Sequence, residues 1–309
     1  MLIPCRDEAS AIGGVIDSFR SQVPEAEIYV FDNASEDQTA EIAEAAGATV
    51  VYVPVPGKGN VVREMFRKVQ SDIYVIVDGD GTYFAEDLPK MIDLVRARKA
   101  DLVIGDRLTS EVYDRQNTRN FHSAGNRLVR WLINSIYDSD AKDILSGFRV
   151  FNDCFVRNCP ILSRGFEVET EMSINAIDRN LSVIDVPISY QERVPGSQSK
   201  LKTFSDGIKI LKTIAFLFKN YLPLRFFTTI SLVVAVVGFG LGWFPILEYM
   251  ELGYVHKVPL AILAASLEIV AALLFCCGLI LDTSVRHYRQ QAEMQIISCK
   301  DRALSQLEH

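Results

Sequence analysis

Residues 73–88 read IYVIVDGDGTYFAEDL, and the first five, Ile73 to Val77, are all apolar or aromatic. So short a run, rich in β-branched residues, predicts a strand buried on both faces. It drives straight into Asp78-Gly79-Asp80, two carboxylates one residue apart. Acids in that place have two readings. One is a polar turn that caps the next helix. The other is a divalent cation site facing a nucleotide diphosphate, because Mg²⁺ and Mn²⁺ favour carboxylate oxygens and fill their shell with phosphate and water. A calcium loop of the helix-loop-helix kind fits poorly, since a buried strand precedes the acids and the fixed acidic spacing is missing.

Outward from this stretch, strand-like and helix-like segments alternate. Leu2-Ile3-Pro4, Glu27–Phe31, Thr49–Val53, Ile73–Val77 and Leu102–Ile104 read as strands. Ile12, Val15, Ile16 and Phe19 recur at helical spacing, and Asp37–Ala46, Asn60–Val69 and Glu86–Arg98 read as helices. Such alternation predicts an α/β domain, a mostly parallel sheet covered on both faces. Ligands bind beyond the carboxyl ends of the strands in such sheets. Asp32, Gly57, Asp78 and Asp80 all follow predicted strands, so they share one rim. Further on, Arg119–Tyr137 and Glu167–Arg179 read as helices and Ser182–Tyr190 as a strand.

The chain has 309 residues, 49% of them hydrophobic, and a mean hydropathy of +0.15. The excess is local: Phe226–Leu247 and Val258–Leu281 are apolar runs, each long enough to cross a hydrocarbon core of about 30 Å as a helix. Lys202, Lys209, Lys212, Lys219 and Arg225 precede them, Arg286, His287 and Arg289 follow, and the link carries Glu248, Glu251, His256 and Lys257. The excess of positive charge on the two flanks predicts that both ends are cytoplasmic and the link outside. No signal peptide is expected in Met1-Leu2-Ile3-Pro4. Phe204, Ile208, Leu211, Ala215, Phe218 and Leu222 form one apolar stripe, which directly before a span predicts a helix lying in the membrane interface, with an ordinary amphipathic helix of a soluble domain as the other reading. Glu268 falls in the middle of the second run, where a carboxylate is costly, so an oligomer partner or protonation is expected. A net charge of −7 argues against a nucleic-acid binder. Cys5, Cys154, Cys159, Cys276, Cys277 and Cys299 form no metal-ligand pattern and read as packing residues. Leu307-Glu308-His309 looks like the stub of a purification tag.

Two basic loops complement the acids. Gly57-Lys58-Gly59 lacks the spacing of a Walker loop but brings a flexible backbone and one cation to the rim. Arg193-Val-Pro-Gly196-Ser-Gln-Ser199-Lys200 offers two cations and hydroxyls suited to a pyrophosphate.

Taken in order, Ile3-Pro4-Cys5-Arg6-Asp7-Glu8, Asp32-Asn33-Ala34-Ser35-Glu36-Asp37, Gly57-Lys58-Gly59, Asp78-Gly79-Asp80, Gly105-Asp106-Arg107, Ser146-Gly147-Phe148-Arg149 and Gly196-Ser197-Gln198-Ser199-Lys200-Leu201 resemble the family 2 glycosyltransferases. Within that family they are similar to the polyprenyl-phosphate branch that includes dolichyl-phosphate mannose synthases, over residues 1 to about 225. The two-span tail resembles bacterial members acting on undecaprenyl phosphate. The resemblance implies a GT-A fold, a nucleotide-sugar donor, Mg²⁺ or Mn²⁺, and an inner-membrane location. It implies that Pro4, Glu8 and Asp32 line the nucleoside pocket and that Lys58, Arg193 and Lys200 serve the donor. Asp78 and Asp80 would hold the metal, Arg107, Arg119 and Ser123 the lipid phosphate, and Glu171 would lie near the sugar. Asp143 is a candidate base, with a structural or helix-capping carboxylate as the other reading.

The family's common N-E pair is Asp7-Glu8 here, and Thr82 stands where some relatives supply a metal-ligating Gln. The implied reaction is inverting transfer of one sugar to polyprenyl phosphate, with UDP-glucose or UDP-N-acetylglucosamine preferred over GDP-mannose. A processive polysaccharide synthase is disfavoured because Gln116-Asn117-Thr118-Arg119-Asn120 lacks the Trp of Q-x-x-R-W. A non-catalytic assembly subunit is disfavoured by the retained acids and cations. The expected division is a catalytic domain over 1–202, a juxtamembrane helix over 203–225, spans at 226–247 and 258–281, and a tail over 282–309, in a homo-oligomer.

Overall fold

The computed structural model describes residues 1–107, 131, 134, 142–165, 167–191, 215–216 and 218–305. It divides into two units, Met1–Ile210 with Ala292–His309, and Leu211–Gln291. Arg119, Ser123, Arg193, Lys200 and most of the predicted 203–225 helix lie outside the described residues.

The first unit alternates as expected: β1 Leu2–Cys5, α1 Ile12–Gln22, β2 Tyr29–Asp32, α2 Thr39–Ala45, β3 Thr49–Tyr52, α3 Lys58–Lys68, β4 Ile73–Ile76, α4 Leu88–Arg96 and β5 Leu102–Asp106. Then come β6 Arg149–Asn152, α5 Asp153–Asn158, α6 Val168–Asp178 and β7 Val183–Pro187. The seven strands lie in the order β3-β2-β1-β4-β6-β5-β7. β6 is antiparallel to both β4 and β5, and every other pairing is parallel.

Strand alternation explains the two layers. Ile3, Val30, Val75, Val103 and Val150 face one core, closed by Ile12, Ile16 and Phe19 of α1 and Met91 and Val95 of α4. Leu2, Phe31, Tyr74, Ile76, Leu102 and Phe151 face the other, closed by Val62 and Met65 of α3, Phe155 of α5 and Met172 of α6. Consecutive residues of a strand point to opposite faces, so strands apolar at every position require cover on both sides. Ile296 is also buried in the second core, which explains why Ala292 onward groups with this unit rather than standing apart as a tail.

β1 and β4 share one paired position, Leu2 with Ile76, and separate beyond it. Chain direction across the sheet also reverses here, with β2 and β3 on one side of β1 and β4 on the other. Such a switch point opens a crevice at the carboxyl ends of the strands. Pro4, which has no N–H to give a ladder, sits in β1 after the strands have parted.

The second unit carries two long helices, α7 Pro223–Leu252 and α8 Val258–Ser305, the latter running on into the first unit's Ala292 segment. Gly253, in the left-handed conformation at φ 67°, ends α7, and its N–H donates to the Tyr249 carbonyl at 2.8 Å. Ser231 Oγ donates to the Ala271 carbonyl at 2.8 Å, joining the two helices. Both are long and apolar enough to cross a membrane. Their large apolar side chains, Leu232, Val236, Phe239, Ile262, Leu273 and Ile280 among them, are exposed, which the core helix of a soluble domain would not tolerate. Glu268 lies against Gly238 of α7, within the same pair of helices.

Candidate active site

The loops after β1, β2 and β3 are stitched together on one side of the crevice. Asp7 adopts φ 51°, a left-handed conformation that Asp tolerates better than most residues. Its N–H donates to Ser35 Oγ at 3.0 Å, and its Oδ1 accepts from the Glu36 N–H at 2.8 Å. The Glu8 N–H donates to Thr39 Oγ1 at 2.9 Å. Asp32, at the end of β2, is buried and accepts from the Ser35 N–H and hydroxyl. Asn33 Nδ2 donates to the Val53 and Val55 carbonyls while its Oδ1 accepts from the Gly57 N–H at 2.7 Å. Pro4, Glu8 and Asp32 therefore sit on one braced wall, and Asn33, which sequence reading passed over, is its main brace.

Asp78 and Asp80 form the opposite lip. Asp80 is 4% exposed, and its Oδ1 accepts from the Thr82 N–H at 3.2 Å and from Thr82 Oγ1 at 2.7 Å. Thr82 thus orients the carboxylate. Gln191 Nε2 donates to the Gly81 carbonyl at 2.7 Å and the Gln191 N–H to the Thr82 carbonyl at 3.0 Å, pinning this loop.

Asp78 is ion-paired with Lys58, the first residue of α3. The same ammonium lies 2.5 Å from Glu169 Oε1 on α6. Burial works to strip the Lys58 proton, but the Asp78 and Glu169 carboxylates outweigh it and push its pKa upward, so the ion pair is charged. Glu169 was not singled out from the sequence, and Glu171 was. Residues two apart on a helix point roughly 200° apart, so one of them faces away from Lys58. Glu171 accepts from the Leu162 and Ser163 N–H groups, both at 2.9 Å, and from Ser163 Oγ at 2.6 Å. It holds the 160–165 segment, which Arg63 also grips through the Ile161 and Ser163 carbonyls.

That segment lies directly on Gly59, so the Gly57-Lys58-Gly59 glycines answer to packing: a Cβ at Gly59 would clash with the Ser163 carbonyl and come within 2.7 Å of its carbon. Gly147, just before β6, plays a similar part beside Asp78. A Cβ there would lie 2.8 Å from Asp78 Cγ. Gly147→Ala is expected to push the Asp78 carboxylate aside and raise the half-saturating Mn²⁺ concentration about tenfold, with thermal stability changed by under ~1 kcal/mol because the displaced group is a movable side-chain end. A Mn²⁺ titration of nucleotide binding checks this; an unchanged midpoint removes Gly147 from the site's geometry.

Arg107, at the end of β5, is bidentate on Asp143: Nε to Oδ2 at 2.7 Å and Nη2 to Oδ1 at 3.0 Å. Its backbone N–H adds a bond to Oδ2 at 3.2 Å. Tyr83 is buried, and its hydroxyl accepts from the Gly147 N–H at 3.0 Å and lies 3.4 Å from Arg107 Nη1. Burial pushes the Tyr83 pKa up despite nearby Arg107, so the hydroxyl stays neutral. The Arg107 guanidinium also lies 5.6 Å from the centre of the Tyr190 ring. Cys5 beneath the crevice has its thiol pushed well up, first by burial and then by the surrounding carboxylates, in keeping with a packing role.

Among the described residues no group of three or more His, Cys, Asp or Glu forms a ready-made metal cage. What the crevice offers is two carboxylates one residue apart. That donor set suits Mg²⁺ or Mn²⁺, which are commonly bound by one or two carboxylates plus substrate phosphates rather than by an all-protein cage.

The family model for glycosyl transferase family 2 matches residues 1–162, and the chain belongs to this family. Glycosyltransferase AglJ of Haloferax volcanii is 32% identical over 292 residues, covering 94% of this chain and 95% of its own. The dolichyl-phosphate hexose transferase of the same organism is 31% identical over 209 residues, covering 67% and 88%. The crystal structure of glucosyl-3-phosphoglycerate synthase from Mycobacterium tuberculosis, in complex with Mn²⁺, UDP-glucose and phosphoglyceric acid, superposes with a TM-score of 0.57 at 23% identity, covering 71% of this chain and 77% of that one. The fold is therefore GT-A, and the chain is a glycosyltransferase.

Proposed function

We propose that the chain transfers one hexose from a nucleotide-sugar to a polyprenyl phosphate at the cytoplasmic face of the inner membrane, with inversion at the anomeric carbon. The observation that carries this reading is the pair Asp78–Asp80 beyond β4, linked to the Arg107–Asp143 ion pair through Gly147 and the Tyr83 hydroxyl. The relative named as a dolichyl-phosphate hexose transferase supports the acceptor, and the two apolar helices supply an anchor where a polyprenyl chain resides.

The chain's own residues divide the work. Pro4, Glu8 and Asp32 line the nucleoside end. Asp80, oriented by Thr82, and Asp78 would hold the metal. Bound there, Mg²⁺ or Mn²⁺ would offset charge on the departing diphosphate. Lys58, Arg193 and Lys200 add positive charge at the same place. The acceptor phosphate is already anionic at neutral pH and attacks the anomeric carbon as the bond to the diphosphate breaks, so no strong base is required. Asp143, with both oxygens engaged by Arg107, is assigned to aiming that guanidinium rather than to proton removal. Arg107, Arg119 and Ser123 receive the lipid phosphate, since a planar fork grips phosphate bidentately. We place Glu171 as support for the 160–165 segment. Among donors we favour UDP-glucose or UDP-N-acetylglucosamine, with GDP-mannose as the alternative. A homo-oligomer would shelter Glu268.

A donor screen in detergent with undecaprenyl phosphate and Mn²⁺, following UDP or GDP release, tests the reading. Release that requires both lipid and metal with a single donor supports it; release indifferent to lipid refutes the acceptor. Arg119→Ala is expected to raise the KM for lipid about tenfold or more while leaving the donor KM within about twofold, as loss of a charged hydrogen bond to one substrate would. Equal losses for both substrates would remove Arg119 from the acceptor side.

A further inference from the structure

We propose that Lys58 is a built-in counter-cation that fills the gap between Asp78 and Glu169, keeping a divalent ion off Asp78 until a nucleoside diphosphate arrives. Glu169 is the positioning residue that retains the ammonium when Asp78 is released. This deepens, and rests on, the reading of Asp78 and Asp80 as the metal end of a donor site.

The geometry is asymmetric. Glu169 is 6% exposed and Asp78 is 27% exposed, with Lys58 between them at 13%. Glu169 is the inner anchor and Asp78 the outer one, open to the crevice. The ammonium can therefore trade Asp78 for another partner without leaving Glu169. The ammonium lies 2.5 Å from Glu169 Oε1 and is ion-paired with Asp78 on its other side. Lys58 and a divalent ion cannot share the Asp78 carboxylate at low cost, because like charges in a poorly hydrated crevice repel strongly. A diphosphate relieves both problems, since its oxygens complete the metal shell and offer Lys58 a new anion.

The supports on either side are rigid. Lys58 opens α3, whose first turn lies under the 160–165 segment at Gly59. Glu169 lies in the first turn of α6, and Glu171, one residue beyond its neighbour, locks that helix to the same segment. The distance between the ammonium and its inner anchor is thus set by two helices braced through one loop.

The test uses the full-length protein in detergent. Mn²⁺ binding is measured by electron paramagnetic resonance with no nucleotide present, and folding is checked by thermal unfolding. Lys58→Met is expected to bind Mn²⁺ at least about tenfold more tightly than the unmodified chain, because Asp78 is released from an ion pair. The double variant Lys58→Met/Glu169→Gln is expected to stay within about threefold of Lys58→Met, since Glu169 acts only by holding the ammonium and Asp78 is released in both. A folded Lys58→Met protein with unchanged Mn²⁺ affinity overturns the proposal, as does a double variant that falls back to the starting affinity. Should Lys58→Met fail to fold, Glu169→Gln alone decides. With UDP or GDP saturating, its Mn²⁺ midpoint is expected to rise about tenfold, whereas a merely structural role would lower the unfolding temperature and leave the midpoint in place. If the unmodified chain shows no Mn²⁺-dependent binding of either nucleotide, the donor-site reading fails, and the nucleotide-free measurement on Lys58→Met still judges the counter-cation by itself.

Discussion

Asp80→Ala is expected to lower sugar transfer by roughly a thousandfold or more while the protein stays folded. Asp80 projects from the loop after β4, beyond the last paired residue Ile76, so its removal touches no strand pairing. Its hydrogen bonds to Thr82 are local, two residues along the chain, and leaving those buried donors unpaired costs on the order of 1–3 kcal/mol each. The catalytic cost is far larger, because a carboxylate that fixes a divalent ion acts on the charge that develops as the diphosphate leaves. Asp80→Asn keeps the shape and the Thr82 contact but loses the charge, so it is expected to fall nearly as far. Transfer rates at saturating Mn²⁺, with circular dichroism and unfolding temperature alongside, check both. A variant with more than a tenth of the original activity and an unchanged Mn²⁺ midpoint would remove Asp80 from the metal site.

Gly59→Ala is expected to destabilise the catalytic unit by about 3 kcal/mol, lowering the unfolding temperature by roughly 10 °C. The added methyl would meet main chain, with the Ser163 carbonyl carbon at 2.7 Å and the Arg164 carbonyl carbon at 3.0 Å. That main chain cannot retreat easily, because Glu171 holds Leu162 and Ser163 while Arg63 holds Ile161 and Ser163. The Gly59 N–H also donates to the Gly165 carbonyl at 3.2 Å, so the two segments are tied as well as packed. Thermal unfolding of the purified variant is the measurement. A shift under about 2 °C would mean that the 160–165 segment yields, and the braces assigned to Glu171 and Arg63 would be wrong.

These two sites divide along a line that the sequence drew in part. Asp78 and Asp80 were legible because a buried strand ending in two acids is a local pattern with few explanations. The glycines at 57 and 59 were legible as special but not as to why. A glycine cradling a phosphate and a glycine yielding room to a loop a hundred residues away look the same in one dimension. Glu171 and Glu169 show the same limit. Both are acids in one helix turn, and only the placement of α3 beside α6 tells which reaches Lys58. Arg107 and Asp143 were each picked out, yet their bidentate pairing spans 36 residues and was not. The strand β6 was missed outright, because Arg149 interrupts its apolar run. In the fold that guanidinium is fully buried and satisfied in part by the Ser146 and Ile144 carbonyls, a local arrangement that composition cannot signal.

By itself, then, the sequence determined the alternation of strands and helices, the two-sided burial of the sheet, the acids at its rim and the two apolar helices. Each of these follows from periodicity or from chemistry within a few residues. The tertiary structure alone decided the antiparallel insertion of β6 between β4 and β5, and the Lys58–Asp78–Glu169 and Arg107–Asp143 ion pairs. It alone showed the Ala292 segment returning to the second core. All of these join residues far apart in the chain. Whether such groups meet is set by how strands order in the sheet and helices pack upon it, a free energy summed over the whole core rather than carried by any one stretch.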